Sequence, residues 1–260
     1  MRKEHGRPGE AWAAALFWLG LWEVLSLRVN RALLLPGPWK VLERLLALAG
    51  SALFWRTVGI SLLRITCGVL AAALLGTLLA ALSCRFRFAA VLLSPPLAAV
   101  KATPVASFII LALLWMGRDP LPGFISALVV LPVVYANVST GIAALDPALL
   151  EVARVYRLSR GRLLTKVYVP AVLPWFVSAL RSSLGMGWKA GVAAEVLTVP
   201  AVSIGRRLYE SKLYLETEDL FAWTAAVVLL SLGLERLLTA LAERLLSGGA
   251  PARHGGGADI

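Results

Sequence analysis

Apolar residues run in long blocks along this chain, separated by short polar stretches. A helix crosses a bilayer with about 20 mostly apolar residues, and six blocks meet that length: residues 11–27, 58–82, 88–116, 124–143, 172–197 and 220–241. The pattern predicts an all-α membrane protein of about six transmembrane helices. Ahead of the second block, the turn Leu35-Pro36-Gly37-Pro38 leads into an amphipathic stretch at 39–48. The second block is rich in Ala, Gly and Leu, which suits close helix packing in lipid. The third contains Pro95, Pro96, Lys101 and Pro104. Proline removes a donor and clashes with the preceding turn, so this block must kink or break. Broken backbone at membrane depth is tolerated only where protein or a water-filled cavity covers it.

Composition leads to the same class. The chain is 59% hydrophobic and only 16% charged, with a mean hydropathy of +0.78, too apolar for a soluble domain of this size. The net charge of +11 does not imply nucleic acid, because no soluble basic domain carries it. Basic loops flanking apolar spans fix orientation and meet anionic lipid instead. Cys67 and Cys84 read as reduced thiols rather than a disulfide framework. His5 and His254 fall in the polar tails, leaving no metal or proton-relay site. The basic start, Arg2-Lys3 and Arg7, imitates a signal peptide, but no small-residue cleavage site follows it. The first block therefore reads as an uncleaved helix behind a tail of residues 1–10. The tail at 247–260 has too little apolar content to order itself.

One polar segment stands out, EVARVYRLSRGRLLTKVYVP at 151–170. Asp146-Pro147 ahead of it is a helix start, with Asp as cap and Pro at the first helical position. Leu149, Leu150, Ala153 and Tyr156 then recur at helical spacing. Ser159 offers a cap for a second short helix, and Pro170 and Pro174 mark the turn into the next span. Two short amphipathic helices at a membrane face suit a groove on another protein or the headgroup layer itself.

Charges inside the spans are expensive in lipid and point to protein or water. Arg64, Lys101, Arg181 and Lys189 are positive; Glu23 and Glu195 are negative. Arg181, Gly185 and Lys189 fall at i, i+4 and i+8, one helical stripe. Lys101, Pro104, Arg181, Lys189 and Glu195 are therefore candidates for a translocation path. Snorkelling of Arg181 and pairing of Lys189 with a carboxylate are the structural alternatives.

The 151–170 segment resembles the Glu-Ala-Ala loop of ABC-importer permeases. Glu151, Ala153, Val167, Val169 and Pro170 hold the family positions, Val152 replaces an Ala, and Arg157 stands where the family has Gly. Trp22-Glu23, Leu35-Pro36-Gly37-Pro38, Ser61-Leu62-Leu63-Arg64, Lys101-Ala102-Thr103-Pro104 and Leu114-Trp115-Met116-Gly117 follow the same family in order. So do Gly187-Trp188, Ala194-Glu195 and Asp219-Leu220-Phe221-Ala222. Together they resemble the permeases of the nitrate, sulfonate, taurine and bicarbonate group. That resemblance implies a type I importer fold and a coupling loop at 146–170, with Glu151, Ala153, Tyr156, Arg157, Gly161 and Pro170 meeting an ATPase. It also implies two cytoplasmic ATPase copies, a second permease copy, and an extracytoplasmic solute-binding protein.

The family Gly turns the chain with positive φ at low cost, which Arg157 cannot do cheaply. Gly161 would supply the bend instead, or the first short helix would run on. No G-x-x-x-x-G-K-[S/T] loop occurs, so ATP is bound by the partner subunit and this chain needs no cofactor. No internal repeat argues for a secondary transporter. The alternatives are a permease for a vitamin or thiamine-precursor-like solute, and a membrane-embedded scaffold or enzyme outside the ABC class. An enzyme would show intramembrane His, paired Asp, or a nucleophile with its base. Orientation by positive residues places both termini and the 146–170 loop on the inner side, which the resemblance implies is the cytoplasm of a bacterial inner membrane. Arg28, Arg31, Lys40, Arg44 and Arg56 in the first outer segment dilute that signal.

Overall fold

A computed structural model describes residues 8–29, 31 and 33–247, and their ordered elements are all helical. The tails expected at 1–10 and 247–260 lie mostly outside the described residues, although helix α1 (Pro8–Val29) already begins within the first. The amphipathic stretch is α2 (Pro38–Ala49), opened by Pro38 after Gly37. Helix α3 (Ala52–Arg85) and helix α6 (Leu121–Ala143) outlast or match their apolar blocks. Helix α11 (Thr217–Ser247) forms the last span.

The third block is a bent pair, α4 (Arg87–Ala102) and α5 (Val105–Ala112), meeting at 106°. Pro95 and Pro96 sit inside α4 without ending it. The break falls instead at Thr103 and Pro104, both extended with ψ near 130°. The residue before a proline is pushed toward extended backbone, and here two such residues in succession redirect the chain. With that pair counted as one span, the described residues contain six candidate spans.

The fifth span is longer than its apolar block. A short helix α8 (Arg160–Leu163) passes through a widened π-type turn (Leu164–Tyr168) into α9 (Val169–Thr198). The widening lies just ahead of Pro170, where a regular turn would meet the proline ring. Pro170 and Pro174 both lie within α9, so the turn into the span that the two prolines were expected to mark is not at either of them. Residues 204–213, in the polar stretch between the fifth and sixth apolar blocks, form helix α10 (Ile204–Leu213). Ser203 caps it, accepting from the Arg206 amide at 3.0 Å; Ser203 before Ile204 and Leu208 was the available signal.

Two compact units divide the chain. In the first, residues up to Leu63 join Glu195–Leu230. The Trp22 indole donates to the Pro36 carbonyl at 3.1 Å, and Phe54 stacks on Trp223 at 4.9 Å. Arg44 of α2 grips Asp219 of α11 with two nitrogens, one bond measuring 2.9 Å. That hydrogen bond holds the guanidinium above its ordinary pKa, against the opposing pull of burial.

In the second unit, Arg64–Ala194 join the chain from Ser231 onward. Val69, Ala72, Ala80, Val130, Val134, Val138, Ala179 and Leu184 form its larger core. Small residues let backbones approach: a Cβ on Gly68 would stand 2.1 Å from the Gly123 carbonyl oxygen. Large apolar side chains such as Trp12, Phe17, Leu74 and Leu229 remain exposed. Acyl chains cover such a surface; water would not tolerate it.

Candidate coupling surface and intramembrane charges

Helix α7 (Pro147–Val155) forms the first half of the polar segment. Asp146 caps it as expected, its carboxylate accepting from the Ala148 amide at 2.9 Å. The apolar face divides in two. Ala153 is turned inward and 5% exposed, with Leu150 half-buried beside it. Leu149, Val152, Val155 and Tyr156, at i, i+3, i+6 and i+7, stand outward, the last two 79% and 76% exposed. A helix this short in water keeps such a stripe only if something covers it. Glu151 is exposed between that stripe and the inward face.

Arg157 itself makes the turn. Its φ is +47°, the left-handed region. Its amide donates to Arg154 and the Leu158 amide donates to Ala153, both at 3.0 Å, the paired bonds of a glycine-type helix end. Gly161 has no positive φ and no neighbour within 4 Å of its Cβ direction. The bend therefore did not move to Gly161, and α7 did not run on. Ser159 precedes α8 but forms no side-chain cap. Pro170 is exposed at the start of α9.

The intramembrane charges separate into held and open groups. Glu195 is 0% exposed. Its Oε2 accepts from the Ser61 hydroxyl at 2.9 Å and from the Gly205 amide at 3.2 Å, while the Ser61 oxygen accepts from the Ile204 amide at 2.9 Å. Glu195 thus anchors the start of α10 to α3, and opens onto no surface of this chain. Arg64 lies 3.6 Å from Asp119. Lys101 and Pro104 are exposed around the α4–α5 bend. Lys189 is exposed on α9 and has no ion-pair partner among the described residues.

Arg181 is half-buried, its Nη2 donating to the Thr239 carbonyl at 3.2 Å. It lines an open cavity of about 430 Å³ with Glu235 and Arg236 of α11. These last two charges, inside the sixth apolar block, escaped the sequence reading; a count of charges within that block would have found them. Cys67 and Cys84 are free thiols at exposed positions.

A broken third span, a buried carboxylate tying the start of α10 to α3, and a short polar-loop helix presenting an apolar stripe accompany the apolar spans of a membrane protein. The comparison with known families agrees. Residues 65–247 match the family described as the binding-protein-dependent transport system inner membrane component, and the chain belongs to it. It is 29% identical over 228 residues to the putative aliphatic sulfonates transport permease protein SsuC of Bacillus subtilis, covering 85% of this chain and 82% of the relative. It is 28% identical over 233 residues to the taurine transport system permease protein TauC of Escherichia coli, covering 86% and 83%. The bicarbonate transport system permease protein CmpB of Synechococcus elongatus is 27% identical over 212 residues, covering 76% and 75%. The chain is an ABC importer permease: a transport subunit and not an enzyme, whose ATPase is a separate subunit and whose solute arrives on a binding protein.

Proposed function

We propose that this permease imports a small solute bearing an oxyanion group, and that α7 receives the stroke of the ATPase. The substrate reading rests on one structural observation above the others, the exposed Lys189 on α9, which has no ion-pair partner among the described residues. A lysine with no counter-charge on a membrane helix is retained where water or an anion meets it. The sulfonate, taurine and bicarbonate relatives support the same class. Two copies of this chain enclose the path and two ATPases sit beneath them. Both termini and α7 face the cytoplasm, and the loops at 113–120 and 199–203 face the binding protein.

The exposed stripe of Leu149, Val152, Val155 and Tyr156 supports the coupling role, with Glu151 fixing orientation in the ATPase groove. Closure of the ATPases then moves α7, and α8 with α9 follows through one continuous helical run. Reconstitution with its ATPase and binding protein tests both parts. ATP-driven uptake of ethanesulfonate or bicarbonate is the expected result. Glu151→Lys should lower it by more than about tenfold through charge reversal at the docking face. Uptake confined to a cationic vitamin precursor would refute the substrate reading. Full coupling in the Glu151→Lys variant would refute the role of α7.

A further inference from the structure

The cavity between α9 and α11 has a composition that lipid alone does not explain. Arg181, Glu235 and Arg236 line it together with Leu232, Thr239 and Ala240, two cations and one carboxylate among the described residues. Arg181 lies about 18 Å along α9 from Val169, and Lys189 about 12 Å further, at 1.5 Å per residue. Three ionisable side chains gathered at this depth are costly unless they serve a purpose. The Thr239 carbonyl holds the Arg181 guanidinium against the wall of the cavity.

Glu235 is placed tellingly. Its Oε1 lies 3.6 Å from where a Cβ on Gly185 would stand. Gly185 is the middle of the Arg181–Gly185–Lys189 stripe, one turn from each cation. The carboxylate therefore rests over the single position of the stripe that lacks a side chain, between its two positive residues.

We propose that this notch is a binding site for a small oxyanion group (sulfonate, carboxylate or phosphate), and that Glu235 occupies the anion's place when the site is empty. The inference extends the anion reading above from Lys189 to a second station formed by two helices. An incoming monoanion meets two arginines, displaces the Glu235 carboxylate from the stripe, and leaves when Glu235 returns. A resident carboxylate of this kind keeps occupancy weak, which a transport pathway needs: binding must be favourable enough to enter and weak enough to leave.

Charge-selective thiol labelling tests the site without relying on transport. In the assembled transporter carrying Cys67→Ala and Cys84→Ala, Leu232→Cys places a single thiol in this chain at the rim. The probes are the sulfonate reagent 2-sulfonatoethyl methanethiosulfonate and its trimethylammonium counterpart, each scaled to its rate with a free thiol. The sulfonate should react about tenfold faster. Arg236→Gln or Arg181→Gln should abolish the preference, Arg236→Lys should keep most of it, and Glu235→Gln should raise it. Protection by dissolved ethanesulfonate identifies a solute as the anion. Slower labelling in nanodiscs of phosphatidylglycerol than of phosphatidylcholine identifies a lipid headgroup instead. Equal rates for the two reagents, unchanged by either arginine replacement in a complex that elutes as wild type, would overturn the site. That failure would leave the uptake experiment to decide the substrate independently.

Discussion

Glu195 and Lys189 stand six residues apart on α9 in opposite surroundings. Glu195 has no exposure and accepts two hydrogen bonds on one oxygen. Lys189 is exposed and has no counter-charge among the described residues. On sequence the two are equal, each a single charge in an apolar helix and each a candidate for the path. Their partners separate them. A buried carboxylate satisfied by a hydroxyl and a helix amide is architecture, since removing it strands those donors. An exposed ammonium strands nothing, so its retention calls for a ligand. Intramembrane charge marks function only after the charges that fasten helix ends have been set aside.

The largest expected effect tests the architectural half. Glu195→Ala leaves the Ser61 hydroxyl and the Gly205 amide without their acceptor and opens a void where the buried carboxylate was. Each buried donor left unsatisfied costs about 1–3 kcal/mol, and the void adds to that. A loss of roughly 3 kcal/mol follows, seen as a melting temperature about 5–10 °C lower in detergent. Glu195→Gln keeps an acceptor and should recover most of it. A stable Glu195→Ala protein with altered transport would place Glu195 with the path after all.

Lys189→Met should do the reverse. With no ion pair to break, the melting temperature should stay within about 2 °C, because exposed substitutions usually fall within ±0.5 kcal/mol. Anion uptake should fall about tenfold, the loss of one favourable charge near a dehydrated anion. A large fall in stability would mean that Lys189 is buried against a carboxylate in the assembled transporter, which would remove the structural support for an anion.

Legibility in the sequence followed how local each cause is. Spans were legible because burial in lipid depends on composition over about 20 residues, and α2 and the Asp146-Pro147 start were legible because amphipathic spacing and capping are local. Which proline breaks the third span was not: Pro95, Pro96 and Pro104 have the same covalent chemistry, and nothing in the local sequence ranks them. Helix α10 was hidden because Arg206, Arg207, Glu210 and Lys212 make it look like loop, while the contacts that hold it, Ser61 and Glu195, lie elsewhere in the sequence. The candidate coupling loop rests on its spacing. The division of α7 into an inward Ala153 and an outward Leu149-Val152-Val155-Tyr156 stripe depends on tertiary packing, which spacing does not carry.

The smallest effect concerns Arg157, where the sequence rule and the fold disagree in an informative way. A left-handed φ of +47° costs a residue with a Cβ about 1–2 kcal/mol. The two 3.0 Å bonds from Arg157 and Leu158 nevertheless keep the helix end in the form that glycine would give. Arg157→Gly removes the steric penalty but enlarges the freedom of the unfolded loop, which returns about 0.4–1 kcal/mol. The net gain should be about 0.5–1 kcal/mol, local to α7. Global melting will hardly register it; hydrogen exchange of the amides at 156–158 should, slowing by about two- to fivefold. If uptake stays unchanged while exchange slows, Arg157 is a tolerated departure in a loop whose shape is set by its hydrogen bonds. If uptake falls although the loop is steadier, the arginine side chain itself contacts the ATPase, and the charge on the coupling surface is part of the interface. Faster exchange in the glycine variant would contradict the strain assigned to this turn.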